Sequence, residues 1–252
     1  MYDLERQAQI LDILKEKKSI SVEKLASMLY VSTATVRRDL NAMEKRGLIN
    51  RTFGGAVLTE SPNEESSIVF RKQSCVKEKR YIAEKCVDFL QDNKSYFLDS
   101  SSTVSFLAPF LKDYKRVNII TNGIDTASIL SSMTSCKILL CGGYLQSRSN
   151  SLLGNMTLNI INKFNCDYAI ISCSGLSSDF YLTETSIDQA EIKIAMVENS
   201  QKIILLMDST KFCSKKLFKS IKLNKVDYII TDKKPPEMFE KYCNEHNITL
   251  IF

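Results

Sequence analysis

Four short polar runs in the second part of the chain have the residue types to hold a phosphate or a sugar. They are Asp99-Ser100-Ser101-Ser102-Thr103, Thr121-Asn122, Gly142-Gly143 and Asp208-Ser209-Thr210-Lys211. Each follows an apolar run of strand length, at 96–98, 117–120, 138–141 and 203–207. Hydroxyls, and the free amides at a helix start, suit anions and polyols. If those strands lie parallel in one sheet, all four runs fall at its carboxyl edge, where such sheets bind ligands. Any one run alone reads as an ordinary turn with capping residues. Four together, one ending in a lysine, point to a binding site.

A second constellation lies near the N-terminus. Val36, Leu40 and Met43 recur at i, i+4 and i+7, the buried stripe of a helix capped by Ser32. At about 100° per residue, Ala34, Arg38, Asn41 and Lys45 then face outward, with Thr35 and Arg37 on the flanks. That face is small at its start and basic or amide-bearing after it, as a helix entering the major groove requires. The candidate DNA contacts are Ser32, Thr33, Thr35, Arg37, Arg38, Asn41 and Lys45, with Arg51 just beyond. Taken alone, the same face would be a solvated basic surface.

The elements around these residues make the case stronger. Leu4, Ala8 and Leu11, with Ile10, Ile13 and Leu14, predict a helix over 3–17. Ser21 caps a short helix whose Val22, Leu25, Ala26 and Leu29 share a face, and Tyr30-Val31 forms a tight turn into the next helix. Gly47 stands where that helix ends, and extended runs flank Gly54-Gly55. The pattern is a winged helix-turn-helix over residues 1–58. Residues 59–74 read as a linker, polar and acidic through TESPNEES at 59–66. Over 75–252, strand-length apolar runs alternate with helical stretches, adding 168–172, 228–230 and 248–252 to the four above. That rhythm predicts an α/β domain with a mostly parallel sheet.

Composition narrows the function classes. The chain has 252 residues, 44% hydrophobic and 25% charged, with a net charge of +5. The mild basicity is compatible with nucleic acid but does not argue for it. The single histidine, His246, leaves no His-based triad or multi-His zinc site, and no cofactor is expected. The eight cysteines include no Cys-x-x-Cys pair, and several sit in apolar runs as small hydrophobes. Asp3, Glu5 and Arg6 interrupt any signal peptide, and no apolar run reaches the ~20 residues of a membrane span. A reducing cytoplasm, with no membrane partner, is the expected setting.

The run STATVRRDLNAMEKRGLINRTFGGA at 32–56 resembles the signature of the DeoR family of bacterial sugar-metabolism repressors. Val36 to Leu40, Gly47 to Ile49, Arg51 and Gly54 to Ala56 carry the match. The likeness continues through Glu78-Lys79, Leu98-Asp99-Ser100, Thr121-Asn122, Cys141-Gly142-Gly143, Leu153-Gly154, the 208–211 run and Ile230-Thr231-Asp232. It implies a sensor domain similar in fold to ribose-5-phosphate isomerase, responsive to phosphorylated sugars. Lys211 would supply the point charge for a phosphate, while Asp99 and Asn122 would meet sugar hydroxyls. Three positions depart from the family pattern. Phe53 replaces a histidine at the wing. Ser101 replaces a glycine, and a positive φ there would strain a serine. Tyr181 replaces another glycine, where its ring would narrow the pocket.

These readings make the chain a repressor of a sugar-utilisation operon. It would act as a homo-oligomer, dimer or tetramer, on double-stranded operator DNA and be released by a phosphorylated sugar. The competing reading is an isomerase-like enzyme with a DNA-binding appendage, borrowing Asp99 and Lys211 with Glu191 as base. A third is a constitutive DNA-binding protein whose second domain only dimerises.

Overall fold

The computed structural model describes residues 3–17, 19–45, 48–52, 54–58, 65–133 and 136–252. Gly47, Phe53 and most of the acidic stretch at 59–66 lie outside them. The chain divides into two units, Met1–Arg71 and Lys72–Phe252.

In the first unit, α1 (Asp3–Lys17) leads through β1 (Ser19–Ser21) into α2 (Val22–Leu29) and α3 (Thr33–Lys45). A hairpin of β2 (Ile49–Thr52) and β3 (Gly55–Leu58) follows, and β3 pairs with both β2 and β1 in an antiparallel sheet. This is the expected winged helix-turn-helix. Both predicted caps form: Ser21 Oγ accepts from the Lys24 amide at 3.2 Å, and Ser32 Oγ from the Thr35 amide at 3.1 Å. Tyr30 takes the left-handed conformation that turns α2 into α3. Val22, Leu25, Val36, Leu40 and Met43 close the core with Ile10, Leu11 and Leu14 of α1. Ala8, expected on that stripe, is exposed. Arg6 and Gln7 are turned inward in its place, toward Asp39 of α3. At the wing, a Cβ on Gly55 would lie 2.4 Å from the Ile20 carbonyl oxygen, so only glycine fits against β1. Residues 68–73, inside the expected linker, form helix α4 (Ile68–Gln73).

The second unit begins with α5 (Val76–Cys86), β4 (Ser95–Leu98), α6 (Ser102–Ser105), β5 (Asn118–Thr121), α7 (Ile124–Met133) and β6 (Lys137–Leu140). It continues through β7 (Tyr144–Gln146), β8 (Ser151–Leu153), α8 (Asn155–Ile161), β9 (Cys166–Ile171), β10 (Gly175–Leu176) and β11 (Tyr181–Glu184). The last part is α9 (Ile187–Glu198), β12 (Ser200–Leu206), β13 (Phe218–Lys222), β14 (Tyr228–Ile230), α10 (Glu237–Glu245) and β15 (Thr249–Ile251).

All seven predicted apolar runs join one sheet, in the order β15-β14-β12-β9-β4-β5-β6, with every pairing parallel. Its strands feed two cores by simple alternation. Phe97, Ala169, Ile171 and Leu205 enter one core, and Tyr96, Leu98, Ile170 and Ile204 the other. Burial on both faces explains why these strands read as continuous apolar runs. The strand order reverses between β4 and β9, and such a switch point opens a crevice beyond the carboxyl ends.

Candidate functional site

On α3 the predicted outward face is exposed. Arg37, Arg38, Asn41 and Lys45 all point to solvent, as do Ser32 and Thr33, while Thr35 is half-buried. Ser32 and Thr35 are tied to each other, Oγ to Oγ1, at 3.0 Å, so their hydroxyls are partly spent on the cap. Arg51 does not simply extend from the wing. Its guanidinium donates to Asn41 Oδ1 at 2.5 Å, and its amide to Glu44 Oε1 at 2.9 Å. The wing therefore holds the amide of Asn41, leaving its NH2 group to face outward. Behind this face Asp39 forms a buried ion pair with Arg6, bonded to both Nε and Nη2. That pair pins α3 to α1, and no spacing rule pointed to it.

Along the carboxyl edge of the large sheet, the runs after β4, β5 and β12 lie on either side of the switch point, and the one after β6 lies at the sheet's margin. Asp99 follows β4, and its carboxylate accepts from the amides of Ser101 and Ser172, each at 2.9 Å. Ser172 follows β9, so one carboxylate joins the two strands that flank the crevice. Lys193 of α9 lies 3.6 Å from the same carboxylate and donates to Glu184 Oε1 at 2.6 Å. Burial disfavours the Lys193 ammonium, but Glu184 and Asp99 outweigh it and push its pKa up. Asp99 is thus committed to protein donors and organises the loop rather than presenting a free carboxylate to a sugar.

Lys211 stands on the other side of the crevice. Its Nζ donates to Ser172 Oγ at 2.9 Å and lies 3.8 Å from Asp208. Burial works against an ionised Asp208, yet Lys211, the Thr210 hydroxyl and Lys79 hold its carboxyl below the usual range. Asn122, after β5, donates to the Leu152 carbonyl at 3.2 Å and reaches Ser100 Oγ at 3.5 Å. Its Oδ1 has no partner among the described residues although fully buried, and the same holds for Thr103 Oγ1. Thr121 spends its hydroxyl on the Gly123 amide.

The remaining predicted residues divide. Gly142 and Gly143 support the edge through packing. The Gly142 carbonyl accepts from Thr157 Oγ1 at 2.6 Å, and Gly143 has a φ of +147° with no room for a Cβ. Glu191 is exposed on α9, and the carboxylate buried near Asp99 is Glu184. Ser102 is buried in α6. The expected strain at Ser101 is absent: its φ is −71°, and its hydroxyl caps α6 by accepting from the Val104 amide. Tyr181 starts β11 with its ring under the Lys219 ammonium, 4.2 Å from the centroid, in the small β10-β11-β13 sheet. Cys173, beside the crevice, is no nucleophile at neutral pH, since burial pushes its thiol up to about 12. Lys193, Glu184 and Ser172 escaped the sequence reading because a lysine in a helix and a serine in a turn carry no local signal of what they face.

Two family models match this chain. One, described as a DeoR-like helix-turn-helix domain, covers residues 6–62, and the other, a DeoR C terminal sensor domain, covers 74–233. The chain belongs to the DeoR family. It is a DNA-binding transcriptional regulator. The glycerol-3-phosphate regulon repressor of Escherichia coli (strain K12) is 31% identical over 250 residues, 99% of each chain. The L-fucose operon activator of Haemophilus influenzae is 30% identical over 98% of each, and the repressor GlcR of Bacillus subtilis is 30% identical over 100% of this chain and 96% of its own. Among solved structures, ribose 5-phosphate isomerase A of Methanocaldococcus jannaschii aligns at 14% identity and a TM-score of 0.41 over 55% of each chain, too distant to bear on activity. Among the described residues no helix is long and apolar enough to cross a membrane.

Proposed function

We propose that this DeoR-family regulator represses an operon for sugar or polyol use and is released from its operator by a phosphorylated sugar or polyol. The observation that carries the reading is the pair of orphaned buried atoms, Asn122 Oδ1 and Thr103 Oγ1. Asn122 reaches Ser100 Oγ, and Ser100 adjoins Asp99, whose carboxylate accepts from the Ser172 amide while the Ser172 hydroxyl accepts from Lys211; Thr103 lies in the same run as Asp99 and Ser100. A buried acceptor without a donor costs about 1–3 kcal/mol, which a ligand hydroxyl recovers. Lys211 supplies the counter-charge for the phosphate, and Ser100 a hydroxyl beside it. Asp99, with its oxygens already engaged, sets the loop. Both orphaned atoms are covered, so binding requires the edge to open. A ligand that favours one conformation in this way shifts an equilibrium, as a released repressor needs. The relatives support the class of effector without fixing its identity, since their names point to different carbohydrates. In this reading the protein acts in the cytoplasm as a homo-oligomer, its DNA contacts being Arg37, Arg38, Asn41, Lys45 and the capping residues of α3, and it turns over no substrate.

The test uses a thermal-shift panel of sugar and polyol phosphates, glycerol 3-phosphate among them, followed by operator binding read by fluorescence anisotropy. Lys211→Ala keeps operator affinity and loses release by whichever phosphate stabilises the parent protein. A parent protein that no phosphorylated sugar or polyol stabilises or releases refutes the sensing reading. Turnover of a bound sugar phosphate would favour the enzyme reading instead.

A further inference from the structure

Asn122 stands between two elements. Its side-chain amide reaches Ser100 Oγ after β4 and donates to the Leu152 carbonyl of β8, and its own carbonyl accepts from the Leu152 amide at 2.8 Å. The β7–β8 hairpin therefore bounds the place where Asn122 Oδ1 is left unpaired. This hairpin is not part of the large sheet. One edge of it is held by backbone. The Ile124 amide donates to the Asn150 carbonyl at 3.1 Å, and Ser151 bridges to Gly123, which packs so closely on Ser100 that a Cβ would lie 2.9 Å from the Ser100 Cα. Toward α9 the hairpin makes two side-chain bonds. Tyr144 Oη donates to Asp188 Oδ2 at 2.6 Å, and Gln189 Nε2 donates to Ser151 Oγ at 2.9 Å. The chain enters and leaves the hairpin through Gly143 and Gly154, at φ of +147° and +92°, which glycine takes without strain. The Gln189 bond belongs to a chain of like groups. Gln146 Oε1, Ser149 Oγ, Ser151 Oγ and Gln189 Nε2 follow one another at 2.9, 2.6 and 2.9 Å, and Ser149, Ser151 and Gln189 are buried. Gln189 stands one turn before Lys193 on α9, and Lys193 lies 3.6 Å from Asp99. The hydroxyl chain and the Asp99 loop thus meet the same helix.

We infer that the β7–β8 hairpin is the cover of the effector crevice, pivoting at Gly143 and Gly154, and that Gln189 and Ser151 read the effector by exchanging their bond to each other for bonds to its polyol. The inference rests on the reading that a phosphorylated sugar or polyol binds beside Lys211 and Asn122. The class of ligand follows from the groups displaced. A sugar hydroxyl donates and accepts, as Ser151 Oγ does, so it takes the Gln189 donation and leaves no buried group unpaired. Inorganic phosphate has no polyol arm to place there. Opening on the α9 side also breaks the Tyr144–Asp188 bond but keeps the backbone edge on 122–124. Asn122 Oδ1 then comes within reach of the same polyol. Tyr144 is a positioning residue: its hydroxyl sets how readily the cover lifts and touches no ligand.

The first arm of the test needs no ligand. In the full-length protein, amide hydrogen exchange over 144–153 quickens in Tyr144→Phe and in Gln189→Met, while β4, β9 and β12 exchange as in the parent. Parent-rate exchange over 144–153 in both variants overturns the inference. Quickening that spreads equally through the three strands also overturns it, because that marks a general loss of stability. The second arm measures affinity for glycerol 3-phosphate, fructose 6-phosphate and inorganic phosphate. Tyr144→Phe binds the effective organic phosphate about 3–10-fold more tightly, because one hydrogen bond no longer opposes opening. Gln189→Met loses about 3–10-fold of the parent's preference for that ligand over inorganic phosphate. The opposite signs separate these roles from structural damage, which weakens binding in both variants and overturns the inference. A preference at the parent level in Gln189→Met removes Gln189 from the site and overturns it as well. If neither organic phosphate binds the parent, the exchange arm still decides for or against the cover, and it is the sensing reading that fails.

Discussion

Arg37 and Arg38 stand exposed on α3 and make no ion pair among the described residues, so their guanidinium donors are unspent. Asn41 differs, because Arg51 fixes its carbonyl and with it the direction of its NH2 group. A base-reading side chain works only if it is held, and this one is held from the wing. Arg38→Ala is expected to cost about 1–3 kcal/mol at the operator if Arg38 reads a base. Binding should also fall steeply as salt rises, because phosphate contacts release counterions. Both are measurable by gel shift on the promoter of the protein's own operon. Unchanged affinity of an Arg37→Ala/Arg38→Ala protein would remove α3 as the recognition helix. At the same scale, Ser101 shows how a side chain replaces a conformational property. Ser101, where strain was expected, sits in extended backbone, and its hydroxyl caps the following turn.

At the scale of elements, α9 and β11 are clamped to the end of β4 by Lys193, Glu184 and Asp99. The lysine is the counter-charge shared by two carboxylates that are both almost wholly buried. Removing it leaves those charges uncompensated, which costs about 3–5 kcal/mol for a buried pair. Lys193→Met should therefore lower the urea midpoint of the sensor unit by a corresponding amount, and a midpoint equal to the parent's would show the clamp to be idle. The pH dependence follows from the directions of shift. Lys193 is raised, so its contribution is present below its ordinary value of 10.5 and is lost as pH rises through its folded value. Asp208 is lowered, so its contribution is present above 3.8 and is lost as pH falls through its folded value. Urea midpoints across pH should show a plateau between these limbs, and Lys193→Met should weaken the alkaline one, to which Lys94, Lys202 and Lys219 also contribute.

At the scale of the whole molecule, one winged helix-turn-helix reads only a few base pairs. Selective binding to an operator calls for two such heads on repeated half-sites, and hence for a symmetric oligomer. Light scattering at micromolar concentration should give a mass at least twice the 28.6 kDa of one chain. A monomer, with and without operator DNA, would contradict the assembly and leave the recognition helix without its second half-site.

Much of this architecture was legible in local pattern. Seven apolar runs marked the seven strands of the sheet; in the central strands β4, β9 and β12 residues fill both cores in turn, which needs apolar side chains in succession. Ser21 and Ser32 marked two helix starts, because a cap bonds only a few residues ahead. The β7–β8 hairpin and the β10-β11-β13 sheet went unread, since strands as short as Gly175–Leu176 leave no period to detect. Parallel pairing of remote strands left no local trace either. It brought Ser172 to Asp99, and the packing of α9 onto that edge brought Lys193 to Asp99. The residue types at the crevice were therefore set out along the chain. Which of them are spent on one another, and which, like Asn122 Oδ1, stay unpaired, was decided by tertiary packing, because hydrogen bonds between distant segments obey distance in space and not separation in sequence.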